Sequence, residues 1–317
     1  MTAPGAFICG LAGPEPTPDE LRFLAGAQPL GLILFARNVA DPAQLRALTD
    51  SLRTTLGRAA PILIDQEGGR VARLGPPHWR GWLPPAEEVA RAGDRAGEVM
   101  RARYRAIGGE LAAAGITANC APVADLARPG THPVLANRCY GQDPARVARI
   151  ARAVADGLIA AGIMPVLKHI PGHGAAREDS HLSCPRVDLA PEALEAADFA
   201  AFRALADLPV AMTAHVIYTA IDPVRPATLS PAVIGLIRRD IGFKGLLITD
   251  DISMGALDGP VAARARAARD AGCDVVLHCN GKLDEMQAVA AAAGRLEPEA
   301  AARAARAFAP RTEAADG

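Results

Sequence analysis

Several features are scarce or missing in this 317-residue sequence, and each absence removes a class of protein. Its six cysteines contain no C-x-x-C pair and are too sparse for a disulfide scaffold. Lysine and arginine number 34 against 35 aspartates and glutamates, so the net charge of −1 gives no basic footprint for nucleic acid. No uninterrupted apolar run approaches the ~18 residues that a membrane span requires.

The opening stretch, "MTAPGAFICGLAG", also lacks the basic segment that begins a secretory signal. Half of the composition is apolar, which is enough for a large core in one big domain or two ordinary ones. We therefore expect a cytoplasmic protein, monomeric, with no nucleic-acid or membrane partner.

Eight short apolar runs recur along the chain, and a helical pattern follows each of them. They occupy residues 6–11, 30–36, 61–67, 117–125, 164–170, 210–216, 245–251 and 274–280. The runs are continuous rather than alternating, which is typical of parallel strands buried on both faces. Two of the helical segments begin with Asp-Pro, a helix N-cap followed by proline at the first helical position.

Strand and helix alternating eight times predict an α/β fold, specifically a single-domain (β/α)8 TIM barrel. A doubly wound sheet is the alternative, but it would require a glycine-rich phosphate turn, and no G-x-G-x-x-G is present. No linker divides the chain. We expect residues 1–308 to form one catalytic domain and residues 309–317 to form a frayed C-terminal tail.

Polar residues lie at the C-terminal ends of most of the predicted strands. In a barrel of this kind, the catalytic residues lie at these strand ends. The polar residues are Asp65, Gln66, Glu67, Asp125, Lys168, His169, His215, Asp250, Asp251 and Asn280. Burying a charged group is costly unless it is paired or binds something, so their convergence on one rim predicts a binding site. A single one of them, such as Asp125 or Asp251, could equally cap a helix. Carboxylates that accept hydrogen bonds and cations that donate them suit a polyhydroxylated ligand.

The segment "KHIPGHGAAREDSH" at 168–181 follows the fifth predicted strand, so we expect a loop on the catalytic face. Its proline and glycines exclude a regular helix, so His169 and His173 do not lie one helical turn apart as a zinc helix motif requires. A metal site from His169, His173, His181 and Asp250 stays geometrically open, but we expect neither a metal nor an organic cofactor. No G-K-[ST] follows, which disfavours a phosphate loop.

A catalytic interpretation of the same loop depends on Asp179 and His181. The two lie two residues apart, so in an extended loop both side chains leave the same face. A carboxylate beside an imidazole stabilises the imidazolium and orients the ring. The pair predicts an acid that protonates a leaving group near neutral pH and then acts as a base toward water.

With these motifs in view, the sequence resembles the family-3 glycoside hydrolases. "DQEGGRV", "KHIPGHG", "DSH", "AHVIY" and "ITDDISM" occur in that order at matching spacing. The narrower resemblance is to the bacterial single-domain β-N-acetylglucosaminidases of that family. It implies retaining hydrolysis of terminal β-linked N-acetylglucosamine (GlcNAc), with GlcNAc-1,6-anhydro-MurNAc muropeptides of cell-wall recycling as the substrate.

The resemblance also implies roles for individual residues. It places the nucleophile at Asp250 and the acid/base at His181, with Asp179 as the partner of the histidine. It makes five further residues sugar contacts: Asp65, Arg73, Arg138, Lys168 and His169. Asp251 is the rival nucleophile; because side chains alternate along a strand, we expect only one of the two adjacent aspartates to face the barrel mouth.

Three alternatives remain at this point. A histidine that has lost its proton is neutral and does not repel an anion, so a β-N-acetylglucosaminide phosphorylase that uses the same residues is the alternative function. A neighbouring-group mechanism through the 2-acetamido carbonyl is the alternative chemistry. A barrel that binds sugars without turnover is the non-enzymatic alternative, although a binder has no need for a nucleophile and an acid.

Overall fold

The structure is a computed structural model that describes residues 3–176, 178 and 183–309. Nine strands form the central sheet: β1 Gly5–Cys9, β2 Pro29–Leu34, β3 Ile62–Ile64, β4 Ala118–Asn119, β5 Met164–Pro165, β6 Leu167–Ile170, β8 Val210–Thr213, β10 Leu246–Asp251 and β11 Val275–His278. Two short strands, β7 Arg186–Val187 and β9 Ile217–Tyr218, form a separate small sheet above them.

Helices follow the strands in the predicted alternation. They are α1 Pro18–Ala27, α2 Pro42–Leu56, α3 Pro85–Ala92, α4 Ala96–Ala113, α5 Pro133–Ala136, α6 Pro144–Ala160, α7 Pro191–Leu194, α8 Ala200–Arg203, α9 Pro231–Arg239, α10 Val261–Ala271, α11 Leu283–Ala293 and α12 Pro298–Ala307. A π-helical turn, Glu195–Phe199, joins α7 to α8. Within the described residues, no helix is both long and apolar enough to cross a membrane.

The sheet order is β5-β4-β3-β2-β1-β11-β10-β8-β6, and neighbouring strands run parallel. Its two ends, β5 and β6, come from one predicted run, 164–170. The backbone of Lys168 pairs across to the segment after β4, donating to Pro122 O at 2.9 Å and accepting from Ala124 N at 2.8 Å. The sheet is therefore a nearly closed barrel, and the predicted (β/α)8 TIM fold is confirmed.

Both faces of each strand are buried, which explains the continuous apolar runs. On β1, Ala6 and Ile8 point into the barrel interior, while Phe7 and Cys9 pack against the surrounding helices. The fourth run is longer than its strand: β4 ends at Asn119, and Val123 then forms an isolated parallel bridge with Lys168. All eight predicted runs contain a strand of the barrel.

The Asp-Pro starts behave as predicted. Asp41 accepts a hydrogen bond from Gln44 N at 2.9 Å at the start of α2, and Asp143 accepts one from Arg146 N at 2.6 Å at the start of α6. Such caps satisfy N–H groups that the first helical turn leaves unpaired. The predicted frayed tail stays a prediction, because residues 310–317 lie outside the described residues.

Candidate active site

A cavity opens at the mouth of the barrel, where the C-terminal ends of the central strands converge. Five predicted site residues border it together: Asp65, Arg73, Lys168, His169 and Asp250. The rest of its lining is Asp251, Ile33, Phe35, Met212, Met254, Leu277 and Cys279. Charged groups beside apolar walls suit a sugar, because its hydroxyls form hydrogen bonds while its C–H faces pack.

Only one further predicted site residue, Arg138, is among the described residues. Arg138 is not among the described residues that border the cavity; its guanidinium contacts Glu67 instead. Asp179 and His181 lie outside the described residues, so their roles stay predictions.

A buried ionic network begins at the floor of the cavity, which Asp65 and Lys168 border, and continues below it to Glu67 and Arg138. The Lys168 ammonium lies 2.8 Å from Asp65 Oδ1 and 2.7 Å from Glu67 Oε1. Glu67, which is fully buried, also receives two parallel hydrogen bonds from Arg138, at 2.9 and 2.7 Å. Two carboxylates thus alternate with two cations, and each charge that has left water has an opposite charge in contact.

The network keeps its members ionised. Burial alone would raise the pKa of Asp65, but the neighbouring Lys168 and Arg73 hold it well below its usual range. Burial likewise opposes ionisation of Glu67, yet Arg138 and Lys168 lower its pKa to about 2. Burial would lower the pKa of Lys168, but the two carboxylates raise it above its usual value. At neutral pH the cavity therefore presents a fixed carboxylate acceptor beside fixed cationic donors.

Arg73 reaches the cavity from the connection between β3 and α3. Its guanidinium lies 3.2 Å from Asp65 Oδ2 and 5.3 Å from the ring centroid of Phe35. The Gln66 amide oxygen accepts hydrogen bonds from Arg73 N at 2.8 Å and Leu74 N at 3.0 Å. Gln66 therefore fixes the backbone that carries the arginine.

His169 is oriented by Asp125, which is fully buried. Asp125 Oδ2 lies 2.6 Å from His169 Nδ1, and Oδ1 accepts from His173 N at 2.6 Å. Burial would raise the pKa of Asp125, but the two histidines keep it below its usual value, so the carboxylate is ionised and Nδ1 of His169 donates. The helix-cap interpretation of Asp125 is wrong: it holds His169 and the start of the following loop.

The two aspartates at the end of β10 have different environments. Asp250 Oδ1 accepts a hydrogen bond from Asp251 N at 2.8 Å, and within the described part of the chain its other oxygen accepts none. Asp251 accepts three hydrogen bonds, from Cys279 N at 3.0 Å, Ser253 N at 2.9 Å and Ser253 Oγ at 2.6 Å. Asp250 is thus the aspartate with an oxygen available to a ligand.

Both aspartates are among the residues that border the cavity, but the Asp251 carboxylate is held by Cys279 and Ser253, so the expectation that only one of the two side chains faces the barrel mouth stays a prediction. The pairing of β10 with β11 shifts register between Ile248 and Asp251, which interrupts the alternation at this strand end. Burial would raise the pKa of Asp250, but His215, His169, the Asp251 N–H and Lys168 keep it below its usual value. The carboxylate is therefore ionised at neutral pH.

The root of the loop after β6 fits closely against the rim. The Thr131 hydroxyl donates to Gly174 O at 2.6 Å, and the Tyr218 hydroxyl donates to Gly172 O. A Cβ at position 174 would lie 1.8 Å from the Leu126 carbonyl oxygen, which is far inside contact distance. Glycine is needed at 174 for this close approach, and the approach places His173 and His169 beside Asp125.

Gly174→Ala is therefore expected to destabilise the protein by about 1–3 kcal/mol, the usual cost of overpacking, and to lower activity as the loop root shifts. Gly109→Ala is the matched control, because Gly109 lies on the exposed face of α4 with open space at its Cβ. Alanine there should be neutral or stabilising by up to about 1 kcal/mol. Thermal unfolding of both variants tests this; equal melting temperatures would contradict the close approach.

The site contains two residues whose importance the sequence did not reveal. Glu67 and Gln66 close the third predicted strand, but neither was assigned a role there, and they organise Lys168, Arg138 and Arg73. Their only signal was their position at the strand end. Among the described residues, no group of three or more His, Cys, Asp or Glu side chains is arranged to hold a metal ion.

Comparison with known proteins adds the following findings. The description "Glycosyl hydrolase family 3 N terminal domain" matches residues 15–307. A protein of Alkalilimnicola ehrlichii named beta-hexosaminidase is 43% identical over 285 residues, covering 87% of this chain and 81% of that protein. NagZ from Neisseria gonorrhoeae, solved in complex with N-trifluoroacetyl-D-glucosamine, superposes with a TM-score of 0.87 at 33% identity, covering 98% of this chain and 91% of that one.

A third protein is similar over nearly the whole barrel. The family 3 β-N-acetylglucosaminidase from Paenibacillus sp. str. FPU-7 gives a TM-score of 0.87 at 33% identity over 95% of this chain. This chain spans 60% of the length of that protein.

Proposed function

This chain belongs to glycosyl hydrolase family 3, and from that premise we propose that it removes terminal β-linked GlcNAc with retention of the anomeric configuration. It is a glycosidase of the β-hexosaminidase kind. The observation that carries the proposal is the Asp250 carboxylate, which is ionised, has one oxygen available among the described residues, and shares a cavity with Asp65 and Lys168.

In the first step an oxygen of Asp250 bonds to the anomeric carbon while the glycosidic C–O bond breaks. His181, as imidazolium, donates its proton to the departing oxygen, and a covalent glycosyl-enzyme results. In the second step neutral His181 takes a proton from water, which attacks the anomeric carbon and releases Asp250. The roles of His181 and of its partner Asp179 rest on the sequence resemblance.

The described residues supply recognition of the sugar. Asp65 accepts hydrogen bonds from hydroxyl groups, and Lys168 and Arg73 donate to hydroxyl oxygens. His169, whose Nδ1 donates to Asp125, presents Nε2 to a hydroxyl group. Because the network is ionised and fully paired before a ligand enters, its charges need little reorganisation when the sugar binds.

For the natural substrate we propose a GlcNAc-1,6-anhydro-MurNAc muropeptide of cell-wall recycling, cleaved in the cytoplasm. The support is the resemblance of the five motifs to single-domain β-N-acetylglucosaminidases. The proposed reaction uses only side chains and water.

The decisive assay compares an aryl β-GlcNAc with the matching aryl β-glucoside, each in phosphate buffer and in phosphate-free buffer. We expect release of free GlcNAc in both buffers and little turnover of the glucoside. If GlcNAc 1-phosphate is the main product in phosphate buffer, the enzyme is a phosphorylase rather than a hydrolase. Equal turnover of the two glycosides would contradict the proposed specificity.

His181→Ala tests the proposed acid. A phenol of low pKa departs with little protonation, so the variant should lose much less rate on an activated aryl glycoside than on a disaccharide, for which roughly 10²- to 10⁴-fold is expected. His78→Ala, at an exposed position between β3 and α3, is the control and should leave both rates unchanged. Equal losses on the two substrates would assign proton transfer to another group.

A further inference from the structure

Three fully buried polar side chains lie beneath the rim, beside the end of β10. They are Thr213 at the end of β8, His215 two residues later, and Thr228 in a short 3-10 helix, Ala227–Leu229. Thr228 Oγ1 lies 2.7 Å from His215 Nδ1 and 2.8 Å from Thr213 Oγ1. Buried polar groups are costly unless their hydrogen bonds are satisfied, so these contacts constrain where each proton lies.

Thr213, Thr228, His215 and the Asp251 carbonyl form a chain of hydrogen bonds. The Asp251 carbonyl, at one end, fixes where the protons lie. His215 Nε2 lies 3.0 Å from the backbone oxygen of Asp251, and a carbonyl can only accept, so Nε2 carries a proton. Burial lowers the pKa of His215 below its usual value, with Asp250 opposing the shift, so the ring is neutral at neutral pH. Nδ1 is then an acceptor, and the Thr228 hydroxyl must donate to it.

The opposite neutral tautomer is disfavoured by electrostatics. It would place the lone pair of Nε2 and the lone pairs of the Asp251 carbonyl 3.0 Å apart. The Thr228 hydroxyl also lies 3.1 Å from Ala214 O, its alternative acceptor. With its own proton committed to His215, Thr228 accepts the Thr213 hydroxyl, and every member of the chain is satisfied.

The hydrogen bond from His215 to the Asp251 carbonyl holds the peptide group next to the proposed nucleophile, Asp250. The N–H of Asp251 donates to Asp250 Oδ1 at 2.8 Å, and the Asp251 side chain accepts from Cys279 N on the β11 side. His215 holds the Asp251 carbonyl from the β8 side. The backbone at Asp251 is thus held from both neighbouring strands, and a displacement there moves the Asp250 carboxylate with it.

We propose that Thr228 is a positioning residue: by fixing the Nε2–H tautomer of His215, it holds the Asp251 carbonyl and thereby aims the Asp250 carboxylate at the anomeric carbon. The inference rests on the proposed function, in which Asp250 is the nucleophile. Thr228 and Thr213 are not among the described residues that border the cavity, so their effect on substrate binding should be small.

The kinetic test uses three substitutions of matched size. Thr228→Val keeps the shape but leaves Nδ1 without a donor; misplacing a reacting group should lower kcat roughly 10- to 100-fold with little change in KM. Thr228→Ser restores the hydroxyl and should recover kcat to within about 3-fold. Thr213→Val removes an equally buried hydroxyl that does not contact His215, and should also stay within about 3-fold of the wild type.

Equal losses in Thr228→Val and Thr213→Val would reduce the role of Thr228 to packing and overturn the proposal. So would a Thr228→Ser variant no better than Thr228→Val. If Thr228→Val does not fold, the serine variant and a direct observation of the ring decide instead.

That observation is the ¹⁵N spectrum of histidine-labelled protein, with the His215 signals identified by their loss in His215→Gln. We expect a neutral Nε2–H ring at neutral pH in the wild type and a shifted Nδ1 signal in Thr228→Val, but not in Thr213→Val. A wild-type ring protonated at Nδ1 would overturn the proposal. A wild type without hexosaminidase activity would instead contradict the proposed function, while the spectrum would still test the hydrogen-bond chain itself.

Discussion

Replacing Asp250 by asparagine is expected to lower kcat by roughly 10⁴- to 10⁶-fold, the range seen when the nucleophile or its partner is removed from other enzymes with covalent intermediates. Asparagine keeps the size of the side chain and can still accept from Asp251 N, so the fold and the cavity should persist. What disappears is the anionic oxygen that would bond to the anomeric carbon.

Asp251→Asn is the matched control for this experiment. The Asp251 carboxylate is held by Cys279 and Ser253, so the substitution weakens hydrogen bonds without removing a reacting group. Its effect should stay near 10- to 100-fold, roughly the cost of misplacing a neighbour. The reverse order of losses would make Asp251 the nucleophile.

Binding and trapping separate the nucleophile from a residue that only binds sugar. Asp250→Asn should bind GlcNAc with an affinity close to that of the wild type, measured by calorimetry, while its turnover is lost. A 2-fluoro or 5-fluoro glycosyl donor should label a peptide containing Asp250 in the wild type. The absence of any adduct under turnover conditions would favour participation of the 2-acetamido group.

The second large effect is expected from Glu67→Gln. Glu67 is fully buried and is the partner of both Arg138 and Lys168, so a neutral side chain there leaves two buried cations with a single carboxylate, Asp65. Breaking a buried ion pair by removing one partner costs about 3–5 kcal/mol. Denaturant unfolding at pH 7 should show that the free energy of unfolding falls by this amount. Activity should also fall, because Lys168 is no longer held in position.

Glu88→Gln provides the comparison at a partly exposed ion pair. Glu88 lies 3.3 Å from Arg103, and its side chain is 25% exposed against 0% for Glu67. Because the Glu88 side chain is partly exposed, water compensates for the lost ion pair. The free energy of unfolding should therefore change by no more than about 1 kcal/mol. Similar losses for the two variants would show that the network at the cavity floor is not specially stabilising.

The loss of stability in Glu67→Gln should depend on pH. The pKa of Glu67 is about 2 in the folded protein, against a usual value of 4.5. A depressed folded pKa contributes stability that is fully present above the unfolded value and is lost as the pH falls through the folded value. The difference in unfolding free energy between wild type and Glu67→Gln should therefore shrink between pH 5 and pH 2, and a constant difference would contradict the ionised network.

Much of the architecture was readable from the order of residues. Continuous apolar runs separated by capped helices are a local pattern, and only a barrel or a doubly wound sheet buries both faces of eight such strands. All strands of a parallel barrel end on one rim, so the sequence alone predicts that the residues at the strand ends share one cavity. Asp65, Lys168, His169 and Asp250 are among them. The motif resemblance then supplied the reaction.

Only the tertiary structure decided which of these polar groups pair with each other. Glu67 pairs with Arg138, and Thr228 contacts the His215 ring that holds the Asp251 carbonyl. These partners lie far enough apart in the sequence that no motif spacing predicts their contact. The register shift in β10 likewise depends on its pairing with β11. A sequence determines which side chains reach the rim, because strand periodicity is local. The partner of each charge and the tautomer of each ring depend on three-dimensional neighbours, because hydrogen bonds and ion pairs act over a few ångströms.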